Sequence, residues 1–159
     1  MPATPVRLEI RKGEPVEVDF ACGTQSLRFS ICRRDVGDDG GHTVALVGPL
    51  GGAHPGAEAA TEPPEILRFD LFRRDPHYHV PSSEPKQIDI DRARDGDAVE
   101  FALAAIRTRL GDLIDRAGHS ELAASLDPTS LAGLAERVRA AIGAAPDPTS
   151  SYWIELPPA

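Results

Sequence analysis

Val16-Glu17-Val18-Asp19-Phe20-Ala21-Cys22, followed by Gly23-Thr24 and then by a run carrying Leu27, Phe29 and Ile31, is the stretch that decides the fold. Apolar side chains occupy every second position on both sides of the Gly-Thr pair. Period-2 alternation puts one set of side chains on a buried face and the other toward solvent, as in a half-buried strand, and Gly-Thr supplies the turn between two of them. Upstream, Val6, Leu8 and Ile10 repeat the pattern, and Lys12-Gly13-Glu14-Pro15 separates them from Val16 with turn chemistry. Three such runs in succession predict an antiparallel meander. Cys22 lies in phase with the apolar set and Cys32 out of phase, so the two thiols are expected on opposite sheet faces, reduced and unlinked.

Further strands are expected at Thr43 to Val47, at Glu65 to Arg74 with Leu67, Phe69 and Leu71 on one side, and at Ile88 and Ile90. The period then changes. Asp97 and Glu100 form a capping-box-like start, and Val99, Leu103, Ile106, Leu110, Leu113 and Ile114 recur at helical spacing up to Gly118, a natural residue just past a helix end. A second helical region starts near Ser120, restarts at Asp127-Pro128 and runs through Leu131, Leu134, Val138 and Ile142. The tetrapeptide Asp-Pro-Thr-Ser at 127 recurs at 147, which reads as reuse of cap and turn chemistry and not as an internal repeat.

The expected architecture is one α+β domain over 1–159: an antiparallel sheet of five to seven strands, covered on one face by a long amphipathic helix, with a second, C-terminal helical region. Between 48 and 64, 12 of 17 residues are Gly, Pro or Ala, which predicts a mobile surface loop. Residues 144–159 read as a C-terminal arm. Its cluster Tyr152-Trp153-Ile154 contains the chain's only Trp and invites docking on a partner.

With 159 residues, 41% of them apolar, the chain is long enough to bury a core. Seventeen Lys and Arg against 25 Asp and Glu give a net charge of −8, so no overall basic footprint points to nucleic acid or an anionic membrane. The start Met-Pro-Ala-Thr-Pro lacks the pattern of a secretory leader, and no run approaches the ~20 apolar residues that span a bilayer. A cytoplasmic location is the expectation. Fifteen of the 17 basic residues are Arg, a bias of GC-rich bacterial genomes. Nucleophile elbows, phosphate-binding Gly loops with their Lys, and Cys-x-x-Cys pairs are absent from the sequence.

One segment concentrates polar chemistry: Arg68-Phe69-Asp70-Leu71-Phe72-Arg73-Arg74-Asp75-Pro76-His77-Tyr78-His79-Val80-Pro81. If the strand continued through Pro76, Asp75, His77 and His79 would share a face at about 6 to 7 Å spacing. Two imidazoles and a carboxylate on one face could then hold one divalent transition metal. Pro76 cannot donate a ladder hydrogen bond and works against that continuity. Further ligands would come from His42, His54 or His119. The bland alternative is an ion-paired network in which Arg68, Arg73 and Arg74 fork onto Asp70 and Asp75. Arg68, Asp70, Arg73, Arg74 and Tyr78, with Trp153 in the arm, are also the candidates for binding a ligand or partner.

The run from Ile66 to about Gly118, with its Arg-Phe-Asp strand, Asp-Pro-His-Tyr-His element and capped helix, resembles an uncharacterised family of small bacterial proteins. It also loosely resembles the TumE-type toxin–antitoxin family through Arg68-Phe69-Asp70 and Pro76-His77. The farther His-rich stretch of that family has no counterpart between Pro81 and Gln87. The sequence thus leaves three functional readings open. The first is a noncatalytic module that binds itself or another protein. The second is a metal-dependent enzyme or sensor using Asp75, His77 and His79. The third is the toxin role implied by the TumE resemblance, which would need a basic patch from Arg33, Arg34, Arg73 and Arg74.

Overall fold

The computed structural model describes residues 5–51 and 63–156. Within them the alternating runs form one antiparallel sheet of eight strands: β1 (Val6–Lys12), β2 (Val16–Cys22), β3 (Gln25–Val36), β4 (Asp39–Val47), β5 (Glu65–Phe72), β6 (His77–His79), β7 (Ile88–Asp89) and β8 (Ser150–Leu156). The sheet order is β7-β6-β5-β4-β3-β1-β8. β3 is the organising strand. Along one edge it pairs with β4 from Arg28 to Val36; along the other it pairs first with β2, from Gln25 to Ile31, and then with β1, from Arg34 to Val36. The β2–β3 hairpin turns on Gly23, whose φ of +63° suits the first position of a tight hairpin loop and would strain a side-chain-bearing residue.

The helices are α1 (Arg92–Asp95), α2 (Ala98–Arg116), α3 (Ser120–Ser125) and α4 (Leu131–Ala144), the last entered through a single 3₁₀ turn at Pro128–Ser130. The Asp97 carboxylate accepts the Glu100 N–H at 3.1 Å, the N-cap that the sequence predicts for α2. At the other end Gly118, at φ +95°, donates its N–H to the Asp115 carbonyl, and His119 donates to the Ile114 carbonyl. These two bonds make a Schellman stop, which takes up carbonyls that the helix end leaves free.

Alternation divides the sheet into two chemically different faces. Leu27, Phe29 and Ile31 of β3, Val44 and Leu46 of β4, and Leu67, Phe69 and Leu71 of β5 join one apolar core with the inner faces of α2 and α4. α2 packs along β5, and α4 packs on β2 and β3, so two helices share the cover that one long helix was expected to give. The reason is width. A helix is about 10 Å across and strands lie about 4.8 Å apart, so one helix covers roughly two strands. Cys22 belongs to this core, Cys32 lies on the other face, and both are free thiols, as the phase argument required.

The expected strand from Glu65 to Arg74 ends at Phe72, and the chain folds back after Pro76 into β6, which is too short for alternation to reveal. Of the expected 144–159 arm, Ser150–Leu156 returns to its own sheet: β8 pairs with β1 over Val6 to Lys12, although its seven residues are exposed. Most of the expected 48–64 loop lies outside the described residues. Among the described residues, no helix is long and apolar enough to cross a membrane.

Leu103 is fully buried between α2 and the sheet. Leu103→Ala is expected to cost about 3 to 5 kcal/mol in urea unfolding, and removal of the α2 cap by Asp97→Ala about 1 kcal/mol. Equal costs for the two would contradict the packing described.

Candidate metal centre

The face of the sheet opposite the core carries a polar set fixed by strand register. Cys32 on β3 pairs with Thr43 on β4, Thr43 with Asp70 on β5, and Asp70 with His77 on β6. The next rung on that face runs Ser30, Ala45, Arg68, His79. His77 and His79 therefore lie beside Asp70 and Arg68 because β6 folds back antiparallel on β5. The fold-back is anchored by Asp39, whose carboxylate accepts the backbone N–H groups of Arg74 and Asp75 at 2.9 and 3.0 Å.

The Nε2 atoms of His77 and His79 stand 3.2 and 3.7 Å from the same oxygen, Oδ2 of Asp70. One ligand atom from each of the three residues lies within 4.8 Å of the others, and all three residues are buried. Nδ1 of His77 donates to the Asp75 carbonyl at 2.7 Å, and Nδ1 of His79 donates to the Glu84 carbonyl at 2.8 Å. A carbonyl oxygen can only accept, so each Nδ1 carries a proton, and an imidazole without a second proton turns a bare Nε2 lone pair toward the carboxylate. Lone pairs facing an anion repel one another. The arrangement calls for a cation between them, either a proton on the imidazole or a metal ion.

Asp70 is held in place from its other side as well. Thr43 Oγ1 donates to Oδ1 at 3.0 Å, Arg68 Nε donates to Oδ2 at 3.1 Å, and Arg34 stands 4.0 Å from Oδ1. Burial alone would raise the Asp70 pKa, but the His77 bond, the Arg68 charge and the Thr43 hydroxyl outweigh it and hold it at about 2. Burial alone would likewise lower the pKa of His77. Its bonds to Asp70 and to the Asp75 carbonyl, with the charges of Asp70 and Asp75, reverse that and raise it.

His77 and His79 thus come together, but the carboxylate that joins them is Asp70 and not Asp75. Asp75 sits in the turn, its side chain 57% exposed, and accepts from Gln87. The expectation rested on a strand continuing through Pro76; the chain turns there, and the cross-strand neighbour takes the place of the neighbour two residues upstream. His42 lies on the helix-covered side near the Ile142 carbonyl at the end of α4, and burial lowers its pKa foremost. His119 stands at the N-cap position of α3 without a side-chain capping bond, and His54 lies outside the described residues. Arg74 pairs with Asp38, and the Arg73 carbonyl accepts from Arg92. Tyr78 is a core residue, its ring 5.5 Å from Phe69 and 5.7 Å from Phe101. Trp153 is exposed on β8 with the Arg7 guanidinium 5.2 Å from its ring centre.

Thr43 and the Glu84 carbonyl were not foreseen. Asp70 stands among β5's buried apolar residues on the phase opposite Leu67, Phe69 and Leu71, and a hairpin at 73–76 would have placed it opposite the histidines.

Searches of curated proteins and of solved structures each found no match. A family model described as Domain of unknown function (DUF7700) matches residues 21–142, a span that takes in the sheet from the end of β2 to β7, the first three helices, α4 as far as Ile142 and the three clustered residues. The chain therefore belongs to the DUF7700 family of domains of unknown function.

Proposed function

We propose that this protein holds one divalent transition metal between Asp70 Oδ2, His77 Nε2 and His79 Nε2 and uses it as a reactive or sensing centre. The observation that carries the reading is the pair of pinned imidazoles. Metal-bound histidines characteristically donate their second ring N–H to a backbone carbonyl or carboxylate, which fixes the tautomer and aims the ligand nitrogen. Here both do so, toward one carboxylate oxygen. Two nitrogens and one oxygen suit zinc, iron(II) and neighbouring metals, and the three ligands found among the described residues would leave positions for water or substrate. Bound there, the metal would polarise a substrate oxygen or lower the pKa of a water. Thr43 and Arg68 would hold Asp70 in its orientation, and Arg68 would temper its charge.

The network of ion pairs weighed from the sequence is the competing account. It explains Arg68 with Asp70, but not two imidazoles aimed at one oxygen. The TumE-like reading finds less support, because Arg33 and Arg74 of the required basic patch are engaged by Asp147 and Asp38.

A second reading rests on a different observation. β8 ends the sheet order, and Val6, Tyr152, Trp153, Ile154 and Leu156 are exposed on the β1–β8 ribbon. An open, apolar edge strand is a template for another strand, and two copies of β8 pairing antiparallel would present the same residues to each other. Light scattering would then give twice the 17.0 kDa chain mass, returned to one chain by Trp153→Lys/Ile154→Lys. A parent that stays at one chain mass at millimolar concentration would sink it.

For the metal reading, protein purified without chelator or affinity tag is expected to carry close to one metal per chain by elemental analysis. His77→Ala/His79→Ala and Asp70→Asn should lose it while staying folded, and Asp75→Asn should keep it. Retention in the histidine double variant, or no metal taken up by the parent from a zinc-containing buffer, would contradict the assignment.

Protons compete with the metal, and the signs are fixed. The lowered Asp70 pKa adds stability above its unfolded value near 3.8, on the order of 2 kcal/mol, lost as pH falls toward about 2. The raised His77 pKa adds stability that is complete below 6.5 and is lost as pH rises through its folded value. Metal-free protein should therefore be most stable between about pH 4 and 6.5, and metal affinity should climb as His77 deprotonates. A metal affinity independent of pH from 5 to 8 would count against His77 as a ligand.

A further inference from the structure

We infer that the face of the sheet turned away from the helices holds the substrate-binding half of the metal centre and that it recognises a small molecule bearing a terminal oxyanion, a carboxylate or a phosphate. The inference rests on the metal reading and names its substrate class. A groove of about 300 Å³ crosses β3, β4 and β5 on the side away from the helices, in the size range of small-ligand sites. Thr43, Arg34 and Arg68 belong both to its lining and to the surroundings of Asp70.

Charge decides the ligand. Among the described residues the lining carries Lys12, Arg34 and Arg68 against Glu65 alone, in a chain whose net charge is −8. Several arginines elsewhere are engaged closely by a carboxylate: Arg28 with Asp19, Arg94 with Asp95, Arg139 with Glu100. Arg68 is held by Asp70 at 3.1 Å and Glu65 at 3.7 Å. Arg34 is different. Among the described residues its nearest carboxylate, Asp70, is 4.0 Å away and already accepts from Thr43 and Arg68, and its side chain is only 25% exposed. A half-buried guanidinium with so little pairing has a planar donor fork to offer a carboxylate or phosphate. Lys12 adds a second cation from β1. Ser30 adds a hydroxyl from the floor, and Tyr152 of β8 closes the groove with an aromatic ring. The β8 strand, which pairs with β1, is thereby also a wall of this site.

The test follows backbone amide signals of ¹⁵N-labelled protein, zinc-loaded and metal-free, during titration with sodium malonate and separately with inorganic phosphate at constant ionic strength. Saturable shifts are expected at Ser30, Arg34, Thr43 and Ala45 in the zinc-loaded protein for at least one probe. Arg34→Gln should weaken that binding tenfold or more while zinc content stays at one per chain, and Lys12→Gln, at an exposed position, should weaken it in the same direction. No saturable shift with zinc bound, or unchanged affinity in both variants, would overturn the oxyanion groove and leave the metal centre standing. Arg34-dependent anion binding by a protein that takes up no zinc would overturn the metal centre instead and leave the oxyanion groove standing.

Discussion

A carboxylate oxygen faced by two imidazole nitrogens, each with its other nitrogen committed to a backbone carbonyl, is the constraint on which the polar half of this fold depends. Without a cation between them the imidazole lone pairs and the carboxylate repel one another, and burial magnifies the repulsion because water cannot screen it. One proton on His77 resolves it by making an imidazolium–carboxylate pair, the state that the raised His77 pKa and the lowered Asp70 pKa describe. A metal ion held by both nitrogens and the carboxylate would resolve it more completely. Thr43 and Arg68 hold the carboxylate from the far side, so it cannot swing away to relieve the conflict.

The same period-2 alternation that builds the core builds this site. Every strand that sends Leu, Phe or Val into the helices sends the intervening residue to the opposite face. On β4 and β5 those residues include Thr43, Arg68 and Asp70, and on β6 they are the two histidines flanking the core residue Tyr78. Register then supplies distance: neighbouring strands lie about 4.8 Å apart, close enough for cross-strand side chains to meet. A one-residue slip of β6 against β5 would bury the histidines in the core and bring Tyr78 to Asp70, so the apolar packing of Tyr78 on Phe69 and Phe101 is what guards the polar site.

Much of this was legible in the residues themselves. β2 follows its alternating run from Val16 to Cys22, α2 follows Asp97 to Gly118, and the opposed placement of Cys22 and Cys32 follows from phase alone. His77 and His79 stood out as a pair for the same reason. The choice of carboxylate did not follow, because Asp75 is the neighbour in sequence and Asp70 the neighbour in space. Separating them requires knowing that the chain reverses at 73–76, and that reversal depends on Asp39, 35 residues before Arg74 in the chain. The division of the cover between α2 and α4, and the return of β8 to β1, are tertiary choices of the same kind, made by partners remote in sequence.

The central claim concerns which atoms hold the ion, and X-ray absorption at the zinc edge of protein loaded with one equivalent of zinc tests it most directly. The account predicts a first shell of nitrogen and oxygen at about 2.0–2.1 Å with the outer-shell scattering of two imidazole rings, falling to one ring in His79→Ala. A shell of oxygen alone, or an imidazole signal that survives intact in His79→Ala, would contradict it.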